Sequence, residues 1–244
     1  GKAIDEPMLL DIIQTQEKLC WNFGRKRRSI SMGVYRSANI NWPVTYQAVD
    51  PDKTSFVPLG CEQPMTCRQI LSEHPKGKEY GWILQDKKMF PLLTDAKGEV
   101  MSMAPIINSA TLGAVKVGDK DLLVEMTGTD MPSLLLATSI VACDFKDAGY
   151  EILPVQVNHP YDTSFGKSIV TPYYFQETTS TTIQAVNKLL GSDFTEKEAV
   201  ELLAKLDVTA ELKDGKVLYH ADSDAILVKG IVALLLRVLS DHTP

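Results

Sequence analysis

Between Leu122 and Phe145 the spacing of apolar residues changes from that of a strand to that of a helix with almost nothing in between. Leu122, Leu123 and Val124 open an extended segment, and Val favours a pleated backbone. MPSLLLATSIVACDF follows at helical spacing. Asp130 stands as N-cap, Pro132 falls in the first turn and Gly149 lies beyond the end, so a helix is expected over 131–147. The joint between the two elements is polar. Glu125 and Thr127 alternate, as does Thr129 if the strand continues, and so share one face. A carboxyl and hydroxyls where a buried strand meets a buried helix ask for a chemical reason as well as a packing one.

The rest of the chain fills out an α+β pattern with mixed or antiparallel sheets and packed helices. Apolar residues from Leu9 to Phe23 recur at helical spacing after Pro7, and Gly24 is a natural stop, which predicts an amphipathic helix over 7–23. Strands are expected at 29–36 and 44–49. A Thr66–Gln69 capping box opens a short helix that Pro75 ends, and a hairpin is expected over 88–105. Two further strands are read at 151–157 and 167–175. Near residue 178 the texture changes. QETTSTT is polar, and helix signals become denser, with TIQAVNKLLG ending at Gly191 and a Thr195–Glu198 capping box. A hairpin turning at Asp214–Gly215 and an apolar helix over 224–239 complete a small α+β module. The expected boundary divides 1–178 from 179–244.

Composition narrows the function. With 44% hydrophobic and 23% charged residues the 244-residue chain is that of an ordinary folded protein, and no apolar run is long enough for a membrane span. No basic-then-apolar leader opens it, so a signal peptide is not expected. Cys20, Cys61, Cys67 and Cys143 form no C-x-x-C pair, and the four His residues fit no metal signature. The thiols are therefore read as free, in a reducing compartment, with no metal site. Net charge −6 argues against binding nucleic acid by bulk charge. One local exception is the run Arg25, Lys26, Arg27, Arg28, which is either a solvated turn after a helix or a phosphate-contacting patch.

Five segments in order, QEKLCWNFGRKRRSISMGVY, VTYQAVDPDKTSFVPLG, MTCRQILSEHPKGKEY, FPLLTDAKGEVMSMAPIIN and VEMTGTD, resemble the β subunit of phenylalanine–tRNA ligase in its archaeal/eukaryotic form. The resemblance runs over about residues 10 to 175. It implies that 1–178 is the B3/B4 module, an α+β domain that hydrolyses mis-acylated tRNA, with 151–176 as strands returning to the subunit's N-terminal domain. It also implies that 179–244 is a winged-helix-like B5 module, in diverged form. VLYHADSDAILVKGIVALLLRVL lacks the family's Pro-Pro-x-Arg element and carries Lys229-Gly230 near its expected acids. The chain is accordingly expected to be a fragment or a diverged relative. By the same resemblance the synthetic site, with ATP and Mg²⁺, lies on the α subunit, so no cofactor is expected in this chain. The implied partners are tRNA(Phe) and the α subunit in a two-α, two-β heterotetramer, in the cytoplasm.

Carried over residue by residue, the family's editing pocket falls on Leu93, Ser102, Glu125 and Thr127. The task is to hydrolyse tyrosyl-tRNA and spare phenylalanyl-tRNA, two esters that differ by one hydroxyl. An apolar pocket rejects an added hydroxyl only roughly 100-fold. A pocket that hydrogen-bonds the hydroxyl does better, because phenylalanine leaves its polar groups unpaired at about 1–3 kcal/mol each. Glu125, standing where the family usually has Asp, would accept the phenol, Leu93 would wall the ring, and Ser102 and Thr127 would offer hydroxyls to substrate or water. Pro105 and Asn108 would shape the bordering loop, where Ala104 replaces a first proline. Backbone N–H groups at Gly128 and Thr129 would face an oxyanion. Each has a plainer reading: Leu93 as core, Ser102 as a partner for a neighbouring strand, Thr127 as a β-branched strand residue and Glu125 as a solvated edge acid. Two other classes remain open, a non-catalytic module that binds tRNA or the partner subunit and a general nucleic-acid reader.

Overall fold

The computed structural model describes residues 2–113, 115–175, 179–205, 209–213 and 216–220. The fold is α+β with antiparallel sheets, and the chain forms two compact units, 1–134 and 135–244. The boundary expected near residue 178 falls inside the second unit, beside residues outside those described.

The first unit opens with helix α1 (Glu6–Lys18), capped by Asp5, whose carboxyl accepts from the Met8 N–H at 2.9 Å. The helix expected to run evenly to residue 23 instead widens into a π-helical turn over Leu19–Phe23. It stops at Gly24, where a Cβ would strike the Cys20 and Ile30 carbonyl oxygens. Arg25, Lys26 and Arg27 then take left-handed backbones, φ 49°, 57° and 67°. For residues with side chains this is strained, at about 1 kcal/mol or more each.

Strand β1 (Ile30–Arg36) follows and is buried from Ile30 through Tyr35. Next come β2 (Thr45–Val49) and the two-residue strands β3 (Ser55–Phe56) and β4 (Met65–Thr66), then helices α2 (Cys67–Glu73) and α3 (Pro75–Tyr80). The Thr66–Gln69 capping box forms as expected. Pro75 ends α2 but also occupies the first position of α3, where its missing N–H has no intrahelical partner to lose. The His74 ring nitrogen accepts from the Lys76 N–H at 3.1 Å and caps that second helix.

Strands β5 (Phe90–Thr94), β6 (Val100–Met103) and β7 (Ile107–Asn108) join β2 in a four-stranded sheet of order β2-β5-β6-β7. Leu93 pairs with Ser102 and Thr94 with Val100, which leaves Met101 as the extra residue of a bulge. Strand β8 (Leu122–Gly128) pairs with β1 over seven residues, from Ile30 opposite Gly128 to Arg36 opposite Leu122. One face of the larger sheet, with Phe90, Leu92 and Met103, packs on Ile70, Tyr80 and Leu84 of the helical segment. The other face presents Leu93 and the bulged Met101 to Tyr35 and Leu123 of the β1–β8 pair. The candidate site lies on that second face.

Helix α4 (Met131–Asp147) starts behind Asp130, whose carboxyl accepts from the Ser133 N–H at 3.0 Å. Gly149, with φ 90°, lies just past its end. In the second unit the strands expected at 151–157 and 167–175 shorten to β9 (Val155–Asn158) and β10 (Ser168–Thr171), an antiparallel pair. Within the polar stretch, Thr179–Thr181 forms strand β11. It joins β12 (Thr209–Lys213) and β13 (Lys216–His220) in a sheet of order β11-β13-β12. Helices α5 (Ile183–Leu190) and α6 (Glu196–Ala204) lie between, the first ending at left-handed Gly191 and the second carrying the Thr195–Glu198 capping box. The expected turn at 214–215 and helix at 224–239 lie outside the described residues. All four cysteines are free. Among the described residues no helix is long and apolar enough to cross a membrane.

Candidate functional site

Strand register brings the predicted residues into a row. Tyr46 on β2 stands opposite Leu93 on β5, Leu93 opposite Ser102 on β6, and Ser102 opposite Asn108 on β7. Directly opposed residues share a face, so one line of side chains crosses all four strands. Leu93 and Ser102 are 5% and 2% exposed, and Tyr46, at the open edge, is 55% exposed. The row is closed at its middle and open at β2.

Glu125 reaches this row from β8 through a residue that the sequence did not single out. The Tyr35 hydroxyl donates to Glu125 Oε2 at 3.0 Å and lies 3.5 Å from Asn108 Oδ1. Tyr35 is fully buried among Ile40, Leu93, Met101 and Leu112. Gly33, directly opposite Glu125 in the register, makes the contact possible. A Cβ there would collide with the Tyr35 hydroxyl and come within 2.7 Å of Glu125 Oε2. The signal was present in SISMGVYR, where alternation puts Ser31, Gly33 and Tyr35 on one face of an otherwise apolar strand.

Two polar atoms here are buried without a hydrogen-bond partner: Glu125 Oε1 and Ser102 Oγ. Such orphans are uncommon in folded proteins and mark strain or a functional site. Burial pushes the Glu125 carboxyl up to about 7, with the Tyr35 and Thr127 hydroxyls pulling it part of the way back. The Tyr35 phenol is raised well above its ordinary range, first by burial and then by the Glu125 charge, with the Ser102 hydroxyl opposing. Tyr46 is pushed up to about 12, by the protein crowding its hydroxyl and then by Glu125. At neutral pH Glu125 is thus poised between acid and carboxylate, as an acceptor for a hydroxyl or a partner for a proton.

The structure thus brings together Leu93, Ser102, Asn108 and Glu125, with Thr127 two residues along from Glu125 on the same strand. Gly128 and Thr129 sit at the exposed end of β8, and the Thr129 N–H already donates to the Ser29 carbonyl at 3.1 Å, so it is not free to meet an oxyanion. Pro105 enters through its carbonyl, which with that of Ile106 accepts from Arg27 Nη1 at 3.2 and 3.1 Å. The Arg27 guanidinium also stacks 4.2 Å over the Tyr80 ring. Of the four-cation run, Arg27 is therefore turned inward, while Arg25, Lys26 and Arg28 are exposed, Lys26 lying 4.8 Å over Trp21. Among the described residues no group of three or more His, Cys, Asp or Glu could share a metal ion.

A family model described as "SufE: Fe-S metabolism associated domain" matches residues 203–244, a C-terminal stretch mostly outside the described residues. Over most of the chain the likeness is to another family. A protein named phenylalanine–tRNA ligase β subunit from Treponema pallidum subsp. pallidum is 46% identical over 215 residues, 88% of this chain and 36% of that protein. One of the same name from Borrelia hermsii is 46% identical over 214 residues, 88% of this chain and 38% of its own length. The chain thus spans well under half the length of these relatives. A crystal structure of an N-terminal fragment of the phenylalanyl-tRNA synthetase β subunit from Pyrococcus horikoshii superposes with a TM-score of 0.80 at 32% identity, covering 96% of this chain and 68% of that one. The chain belongs to the phenylalanine–tRNA ligase β-subunit family.

Proposed function

We propose that this chain carries an editing site that hydrolyses tyrosine mis-attached to tRNA(Phe). The observation that carries this reading is the pair of buried, unpartnered oxygens, Glu125 Oε1 and Ser102 Oγ, set against the apolar wall of Leu93. An aromatic ring that brings a hydroxyl to that place supplies the missing hydrogen bonds, and one without the hydroxyl leaves both oxygens desolvated and unpaired. That asymmetry favours tyrosine over phenylalanine in the sense editing requires. The row is exposed at Tyr46, so the ester end of a bound tyrosyl group would point toward solvent and the RNA. Water then adds to the ester carbonyl carbon, the bond to the ribose oxygen breaks, and that oxygen leaves with a proton. Among the described residues of the row no nucleophile–base pair is formed, so the attacking group in this reading is an oriented water.

In this reading tRNA and an α subunit are the partners, ATP and Mg²⁺ belong to the synthetic site on that subunit, and the protein works in the cytoplasm. Glu125 is turned onto Tyr35 rather than into bulk water, which argues against a merely structural edge acid. The test is release of tyrosine from tyrosyl-tRNA(Phe) by the complete two-subunit enzyme, with Glu125→Ala beside it. The wild type should deacylate well above buffer and the variant should lose at least roughly tenfold in kcat/KM, the equivalent of one buried hydrogen bond. Wild-type release no faster than in buffer overturns the proposal.

A further inference from the structure

We propose that Tyr35 is the positioning residue that makes Glu125 a reader of one phenolic hydroxyl. The identity of the group read rests on the editing proposal; the geometry stands apart from it. A carboxylate offers two oxygens and about four lone-pair sites. Left to itself, it accepts a hydroxyl in several poses and so fixes none. Tyr35 removes that freedom. Its single proton goes to Glu125 Oε2 at 3.0 Å rather than to Asn108 Oδ1 at 3.5 Å, and Oε1 remains as the unmatched acceptor.

The Tyr35 ring is held on every side. It is 0% exposed, is packed among Ile40, Leu93, Met101 and Leu112, and has its hydroxyl seated in the space that Gly33 leaves by lacking a side chain. Neither the phenol nor the oxygen it holds can swing away without opening the core. Asn108, beside the Tyr35 hydroxyl, stands opposite Ser102 in the sheet, so Ser102 Oγ, which makes no close hydrogen bond, lies next to the same phenol and acts on it. An incoming hydroxyl can donate to Oε1 and accept from Ser102.

The role predicts a pH signature. The titratable groups that feel the charge of Glu125 are Tyr35 from β1, Tyr46 from β2 and Cys20 from the turn after α1, with Arg27 acting on Cys20. The Tyr35 hydroxyl, ahead of that of Thr127, holds the carboxyl by a hydrogen bond that favours its charged form. Removing the Tyr35 hydroxyl therefore moves the titration of Glu125 upward.

Calorimetric binding of N-acetyl-L-tyrosinamide and N-acetyl-L-phenylalaninamide to the full chain, scanned through neutral pH, tests this. The wild type should prefer the tyrosine compound by roughly tenfold or more in its high-pH limit, the equivalent of about one buried hydrogen bond. Tyr35→Phe keeps the ring and the fold, which circular dichroism and thermal unfolding check. It should cut the preference to below about threefold and move its pH midpoint upward. Glu125→Asp, which keeps the carboxyl but draws it back from Tyr35 by one methylene, should reduce the preference likewise. A Tyr35→Phe protein with unchanged preference and midpoint overturns the proposal, as does a wild type with no preference. Deacylation of tyrosyl-tRNA(Phe) by the complete enzyme, measured in parallel, separates the two ideas. Preference without deacylation sinks the hydrolysis and leaves the reader. Deacylation whose tyrosine-to-phenylalanine selectivity Tyr35→Phe leaves unchanged sinks the role of Tyr35.

Discussion

Glu125 carries its consequence in the way the protein responds to pH. Its carboxyl titrates near 7 in the fold against an ordinary 4.5, so the folded state holds a proton that the unfolded state has already released. The stability this confers is complete below pH 4.5 and is lost as pH rises through 7, an amount on the order of 3 kcal/mol at about 1.4 kcal/mol per pH unit. Asp50, Asp52, Glu79, Asp95 and Glu198 are all shifted the other way, so they are ionised before this window opens. Urea unfolding should therefore show wild-type stability falling between about pH 5 and 8. In Glu125→Gln the part of that slope owed to the carboxyl should be absent. Gly33 makes a second prediction at the same scale. A methyl group there must displace the Tyr35 hydroxyl and Glu125 Oε2, so Gly33→Ala should destabilise by about 1–3 kcal/mol. It should also flatten the pH slope, because the carboxyl can no longer hold its place.

At the scale of elements, local chemistry was easily read and pairing across the fold was not. The Thr66–Gln69 and Thr195–Glu198 boxes could be seen in the sequence because a cap is settled within four residues, and both form. Thr66→Ala should cost about 1 kcal/mol by thermal unfolding. Pro75 was read as a stop and is one, yet the same ring begins α3, since proline suits a first helical turn as well as it breaks an interior. The strands β3, β4, β7 and β11 are two or three residues long and carry no periodicity to detect. The acid, the hydroxyls and the apolar wall of the site were legible as residue types, by likeness to a family. Tyr35 was not, because its partner lies 90 residues away and only the register of β1 against β8 brings the two together. Nor was the inward turn of Arg27, which needs three successive left-handed residues that nothing in GRKRRS announces.

At the scale of the whole molecule the charge is −6, so a polyanion approaching the protein meets net repulsion and depends on local cations. The run from Arg25 to Arg28 offers three of these rather than four, since the Arg27 guanidinium is committed to two carbonyls and the Tyr80 ring. Each cation that meets a phosphate frees condensed counterions and adds about 0.7 to 0.9 to the slope of log K against log salt. If this turn grips RNA, Arg25→Gln and Arg28→Gln should each lower that slope by a little under one unit, and Arg27→Gln should leave it alone while lowering the melting temperature. Sodium chloride titrations of RNA binding with the three variants measure the difference. A cluster that looks uniform on the page would then divide into outward charges that read ionic strength and one inward charge that ignores it.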